Sequence, residues 1–532
     1  MMMKRLVSIL LLAGCATTRP QTTGTYAGDL VLPWGAEIVN VEITGSDSAA
    51  LVQQDVSDFG GGGAQRTPLE HFSLRGNAVT FTRSRDGRSV TCRATLRDGL
   101  MTGDGDCRVR AARVEPFPRT DAILGAYRTE DGHLIDVSRS NDAGFVTLLT
   151  DYDRNLWRAI YHRGGGRFTF GSGMVDPAPA AGSITFHDDG TASLAYGNGR
   201  AVRATRVHFR EKPVAWENGE AKLRGTLILP DGDGPFPAVV MTQSSGGSDR
   251  NGYRPVAQWF ASRGVAALVY DRRGIGESTG ESRNVGFPDL AQDAANAALA
   301  LQQIAEVDRN NIGVWGQSQG GWIAPLAAAK TKAIAWVIAQ SGPAVTASEQ
   351  EVYRIAQQAR IERYSPEETA EVVAYEAALD RYRTTGEGRE ELIAIARRSK
   401  DKRWTALVPL VDDTLPPRPS EVRRTQFWSY DPVPEYRKVT VPILAIYGDR
   451  DSYVPAEKSA AIWRRIFEEN GNRDGAVLMM KGAAHGQWLG EADGFPDLVR
   501  SPGYHPDYWP ALDAFLRRYV TSGAARARRT TD

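Results

Sequence analysis

Cysteine is scarce in this sequence: only Cys15, Cys92 and Cys107 occur in 532 residues. No His or further Cys lies at ligand spacing beside them, so a cysteine-built metal centre is excluded. Histidine is also short, at seven residues, which confines any search for an imidazole base to a few positions. Net charge is missing too. Lys+Arg and Asp+Glu stand at 64 each, which removes the broad basic field of a nucleic-acid binder. The apolar run at the N-terminus, Leu6 to Leu12, is too short to span a bilayer. What remains, 42% hydrophobic and 24% charged residues, describes an ordinary globular protein. Its length exceeds one ordinary core and predicts two or three domains.

The N-terminus carries more. Lys4 and Arg5 precede the apolar run, and Leu12-Ala13-Gly14-Cys15 closes it. Residues 1–15 thus have the layout of an export signal. The last four resemble the bacterial lipobox, which implies lipidation of Cys15 and a membrane anchor of more than one acyl chain. A plain secretory signal with an incidental Cys is the alternative. Ala16 lacks the acidic character of an inner-membrane retention signal, so an extracytoplasmic, outer-membrane location is expected. Cys92 and Cys107 flank a turn at Asp98-Gly99 in an exported chain. A disulfide and two buried thiols both fit, and either is structural.

Residues 23–207 read as all-β: short alternating runs, such as Ala78 to Thr82 and Arg167 to Phe170, are divided by Gly, Asp and Asn. They are readable as two units, opening at Gly24-Thr25-Tyr26 and Gly125-Ala126-Tyr127 with Pro116 and Pro118 between. From 208 to 522 the texture changes. Apolar runs buried on both faces, among them Ala238 to Met241, Val265 to Tyr270 and Ile443 to Tyr447, alternate with helical segments. This predicts a doubly wound α/β domain with a mostly parallel sheet. Residues 349–428 interrupt it with a helical pattern, and Ser365-Pro366-Glu367-Glu368 is a helix start. The insert reads either as extra packing or as a cap over the substrate site.

Gly316-Gln317-Ser318-Gln319-Gly320 stands between the strand Ile312 to Trp315 and the helical run Trp322 to Ala329. In that context Gly-x-Ser-x-Gly is specific, because so tight a turn needs small residues around an exposed nucleophile. Serine needs a base to take its proton. Five of the seven histidines lie in or just after the β region; His485 follows the last predicted strand, and His505 sits in a Pro-rich segment. His485 is therefore the expected base. The orienting acid should fall between them in chain order. Gly448-Asp449-Arg450-Asp451 offers two carboxylates, of which Asp451, farther along the loop, is expected to reach the imidazole and Asp449 to hold the turn. Gly274-Ile275-Gly276 lacks dinucleotide-binding spacing.

With these motifs in place, residues 207–520 resemble bacterial α/β-hydrolase esterases of the dienelactone-hydrolase-like group. The resemblance rests on Gly-x-Ser-x-Gly-Gly, Asp271-Arg272-Arg273-Gly274-Ile275-Gly276-Glu277-Ser278, the Gly448 to Pro455 segment and Ala484-His485-Gly486. It implies an α/β-hydrolase fold, the triad Ser318, Asp451 and His485, and oxyanion donors at the backbone N–H of Gln319 and Ser245. Gln243 and Ser244 depart from the His and Gly usual in that loop. A small-molecule ester is the expected substrate, with no metal or organic cofactor. A serine peptidase, a thioesterase, or a binding lipoprotein with a dormant hydrolase domain are the alternatives. The β region also resembles N-terminal domains of exported hydrolases and shows no catalytic constellation.

Overall fold

A computed structural model describes residues 22–522, apart from 55–63, 86, 116–119, 140–146, 198, 246–248, 283 and 491–499. The export-signal features with Cys15, together with Pro116, Pro118 and Gly246 to Ser248, lie outside the described residues.

The alternating N-terminal region forms two antiparallel sheets of nine strands that share one strand order. In each, the chain meanders and its ninth strand returns to pair with the first. Gly24–Leu32 lies between Gly35–Ile43 and Arg108–Val114. Gly125–Thr129 lies between Leu134–Arg139 and Val202–Arg206. The likeness reaches single bonds: Tyr26 Oη donates to the Thr22 carbonyl and Tyr127 Oη to that of Ile123. Along Arg88–Arg97, Cys92, Ala94 and Leu96 point inward and the residues between them outward. Cys92 is bonded to Cys107 within this first core.

The C-terminal region is built on one eight-stranded sheet. Its strands are β1 (Arg210–Asn218), β2 (Ala221–Leu229), β3 (Phe236–Thr242), β4 (Ala266–Asp271), β5 (Val307–Gln317), β6 (Ile334–Gln340), β7 (Ile443–Gly448) and β8 (Gly475–Met480). Their spatial order is β1-β2-β4-β3-β5-β6-β7-β8. β2 runs antiparallel to its neighbours and β3 to β8 are mutually parallel. β1 is not revealed by any apolar run, because only Val214 and Trp216 on it are buried. Helices cover both faces. Along β3, Ala238 and Val240 join one core while Val239 and Met241 join the other, as a period of two requires. The first core is closed by α2 (Phe287–Leu301) and α3 (Gln319–Lys330), the second by α1 (Arg254–Ser262) and the C-terminal helix Tyr508–Leu516. Ala126, Leu134 and Tyr152 of the second β unit join that second core, so this unit packs directly on the α/β domain.

Between β6 and β7 the chain leaves the sheet for α4 (Ala347–Ile361), α5 (Pro366–Thr385) and α6 (Arg389–Ser399). They enclose a core of their own, including Ile355, Tyr375, Leu379 and Trp404. α5 starts where the sequence says it should: Ser365 and Glu368 satisfy each other's backbone N–H in a capping box.

Candidate active site

All the candidate side chains sit at the carboxyl edge of the parallel strands. Ser318 occupies the single residue between β5 and α3, with φ 55° and ψ −118°. A non-glycine residue held there stores of order 1–3 kcal/mol, which the surroundings must offset. They do so with backbone contacts. The Ser318 N–H donates to the Gln340 carbonyl at 2.9 Å, and the Gly321 N–H to the Ser318 carbonyl at 2.8 Å. A Cβ on Gly316 would stand 2.1 Å from the Gly320 carbonyl oxygen, and one on Gly320 would stand 2.2 Å from that of Thr242. Only glycine permits both approaches. The helix begins at Gln319, so its first N–H groups and the positive end of its dipole lie beside the serine.

Asp451 and His485 meet on the loops that follow β7 and β8. His485 Nδ1 lies 2.8 Å from Asp451 Oδ2. The carboxylate is buried, and its Oδ1 accepts the N–H groups of Tyr453 at 2.9 Å and Val454 at 2.8 Å. Asp449 is used differently. Its Oδ1 accepts the Gly482 N–H at 2.6 Å and pins the two loops together. His505 caps a turn, taking the Asp507 N–H at Nδ1.

Ser341 and Gln487, which no motif singles out, join the pieces. Ser341 Oγ donates to the His485 carbonyl at 2.7 Å and accepts from Gln487 Nε2 at 2.8 Å. Ser318 is tied to Gln340 and His485 to Ser341, so two consecutive residues at the end of β6 position both loops. Farther out, Leu489 donates its N–H to Gly503, and His505 its N–H to Gln487. The second β unit grips this 501–505 stretch: Arg158 Nη2 donates to the Pro502 carbonyl, and the Met174 N–H to that of Ser501. The helical insert touches the acid loop, where Tyr353 Oη donates to the Asp451 carbonyl at 2.8 Å.

The loop after β3 is anchored by Gln243 and Ser244, the two residues that depart from the pattern of the esterases this region resembles. Gln243 is buried, and its amide donates to the Tyr270 carbonyl. The Ser244 N–H donates to Tyr253 Oη at 3.0 Å, and that hydroxyl donates to Ser244 Oγ at 2.9 Å. Ser245 follows, exposed. Arg250 ties the loop to the turn after β4 through Asp271 and Glu277, each at 2.5 Å. Burial pushes the Asp271 carboxyl up, but Arg250 and two backbone N–H groups outweigh it and hold the group below its usual range. Arg273 is held by Asp293, and Arg272 Nη1 donates to Gln319 Oε1 at 2.6 Å.

This strand order, with an elbow serine after β5 and a His–Asp pair after β8 and β7, defines a domain of the α/β-hydrolase fold. Residues 237–493 match the Hydrolase_4 family, described as serine aminopeptidase, S33. Esterase EstD of Thermotoga maritima is 26% identical over 308 residues, which cover 56% of this chain and 64% of that protein. The quorum-quenching protein AidA of Acinetobacter baumannii is 29% identical over 128 residues, 24% of this chain and 42% of that protein. The chain thus spans less than two thirds of the length of either relative. Among solved structures, an esterase of Pyrococcus furiosus aligns with a TM-score of 0.37 at 19% identity, covering 58% of this chain and 91% of that one.

Proposed function

We propose that the protein is a serine hydrolase that cleaves carboxylic esters through an acyl-enzyme. The observation that carries this reading is the buried Asp451 carboxylate at 2.8 Å from His485 Nδ1. That bond leaves Nε2 unprotonated in the neutral ring, ready to take a proton from Ser318. Ser318 Oγ attacks the carbonyl as His485 removes its proton, and Asp451 stabilises the imidazolium. The oxyanion is received by the N–H groups of Gln319 and Ser245, the first of them at a helix N-terminus. The imidazolium then protonates the departing alcohol. A water activated by the same nitrogen releases the acyl group. The likeness to Esterase EstD favours an ester as substrate.

The test is a fluorophosphonate probe. It should label the wild-type protein and not Ser318→Ala; an unlabelled, folded wild type overturns the reading. One observation favours a second reading. The matching family is described by an aminopeptidase, so aminoacyl amides belong beside acetyl to long-chain esters in the substrate panel. Faster turnover of the amides decides for the peptidase.

The same proposal places the enzyme outside the cytoplasm, on a lipid anchor at Cys15. It is supported by the charged start, apolar run and Leu12-Ala13-Gly14-Cys15. Cells fed an alkynyl fatty acid should label the wild type and not Cys15→Ser, and equal labelling refutes the anchor.

A further inference from the structure

Arg272 follows directly on β4, and its guanidinium reaches the residue after Ser318, donating to Gln319 Oε1 at 2.6 Å. The arginines around it are neutralised: Arg250, on the loop after β3, by Asp271 and Glu277, and Arg273, next in the same turn, by Asp293. Among the described residues Arg272 has no carboxylate at ion-pair distance. Asp293, the carboxylate whose charge it feels, is taken by Arg273 at 2.5 Å. Burial holds the Arg272 guanidinium below its usual basicity.

A second cation comes from the insert. Arg423 ends the short helix Glu421–Arg423, with its guanidinium carbon 3.9 Å from the Phe427 ring centroid. Phe427 stacks on Phe287 at 4.9 Å, and Phe287 packs on Trp322 of α3 at 4.9 Å. The insert therefore rests on α2, which in turn packs on the helix that starts beside Ser318. Arg423 likewise has no ion-pair carboxylate among the described residues. Burial, then the charges of Arg383 and Arg272, hold its guanidinium low. Arg383 itself is answered by Glu376 at 2.6 Å. Removing a cation from water without a counter-charge is costly. Arg272 beside the nucleophile, with a second such cation on the insert, leaves room for an anion that arrives with the ligand.

We propose that Arg272 and Arg423 form a carboxylate subsite beside Ser318, so that the preferred substrate is an ester bearing a carboxylate of its own. This rests on the hydrolase reading above. A planar guanidinium matches a carboxylate's two oxygens, and among the described residues Arg272 commits one arm to Gln319 and no other to a side chain. The same charges repel the ammonium of an aminopeptidase substrate.

The experiment compares 4-nitrophenyl hydrogen adipate with the uncharged 4-nitrophenyl hexanoate. The wild type should favour the adipate half-ester in kcat/KM. Arg272→Gln and Arg423→Gln should each lower the ratio of the two kcat/KM values, by about tenfold for Arg272. A wild type that prefers the hexanoate, or variants that slow both esters equally, overturn the subsite and leave Arg272 a support for Gln319. A wild type that neither takes the fluorophosphonate nor cleaves either ester fails the hydrolase reading instead. The subsite is then judged by calorimetric binding of adipate to Ser318→Ala. Binding weakened by Arg272→Gln supports it, and binding that is absent or unchanged overturns it.

Discussion

Replacing Asp451 by Asn changes one atom's chemistry and almost none of its volume. The buried Oδ1 faces two backbone donors, the N–H groups of Tyr453 and Val454. Turning an amide NH2 toward them would leave buried donors unpaired, at about 1–3 kcal/mol each. The amide oxygen therefore stays on the backbone side, and Nδ2 faces His485 Nδ1 across the 2.8 Å contact. Nδ2 can only donate, so Nδ1 must accept. The neutral ring then carries its proton on Nε2, the nitrogen that has to deprotonate Ser318. A wrong tautomer of this kind costs a Ser-His-Asp hydrolase about 10⁴ in kcat, by comparison with the serine-protease case. We expect a loss of that order for Asp451→Asn in ester hydrolysis across about pH 6 to 9, with the folded state kept intact by the conserved backbone bonds. Asp449→Asn is the control. An amide oxygen can still accept the Gly482 N–H, so its kcat should change by no more than about twofold. A folded Asp451→Asn protein within tenfold of wild type, or a larger loss in Asp449→Asn, would refute the assignment of the acid.

Further outcomes follow from the same reasoning. Burial, offset in part by Ser138 and Arg254, pushes the Asp136 carboxyl up to about 6 from 3.8. The fold therefore favours its protonated form, and that stabilisation is present below about pH 4 and is lost as pH rises through 6. Asp136→Asn should raise the melting temperature at pH 8, by the equivalent of about 3 kcal/mol at most, and hardly at pH 4; an equal gain at both pH values counts against it. Gly320→Ala sets a methyl 2.2 Å from the Thr242 carbonyl oxygen and 3.0 Å from that of Gln243, backbone atoms that cannot swing aside. It should cost about 1–3 kcal/mol and abolish fluorophosphonate labelling, and unchanged labelling would show that the elbow tolerates what the geometry forbids. Replacing Cys92 and Cys107 together by Ser opens a closure of 15 residues. Urea unfolding of the β region should shift by about 3 kcal/mol, and an unshifted transition means the bridge adds nothing.

The sequence by itself determined what depends on neighbours along the chain. The elbow was legible because Gly316, Ser318 and Gly320 stand between an apolar run and a helical one. The start of α5 was legible because Ser365, Pro366 and Glu368 act within a single turn. The chain order of Ser318, Asp451 and His485 was legible for the same reason, since each follows a recognisable strand. The tertiary structure decided what depends on residues far apart in the chain. The eight strands cross over in an order no local pattern encodes, and β1 was hidden because packing buries only two of its side chains. Ser341 and Gln487 carry no motif; they matter because β6 ends between the serine and histidine loops. Asp449 and Asp451 differ in sequence only by their place along the loop, and the packed loops give Asp449 the Gly482 N–H and Asp451 the imidazole. Arg272 reads as one of three arginines around the β4 turn. Its lack of a carboxylate partner among the described residues, and its place beside Gln319, exist only once the loops have packed and used up the acids nearby.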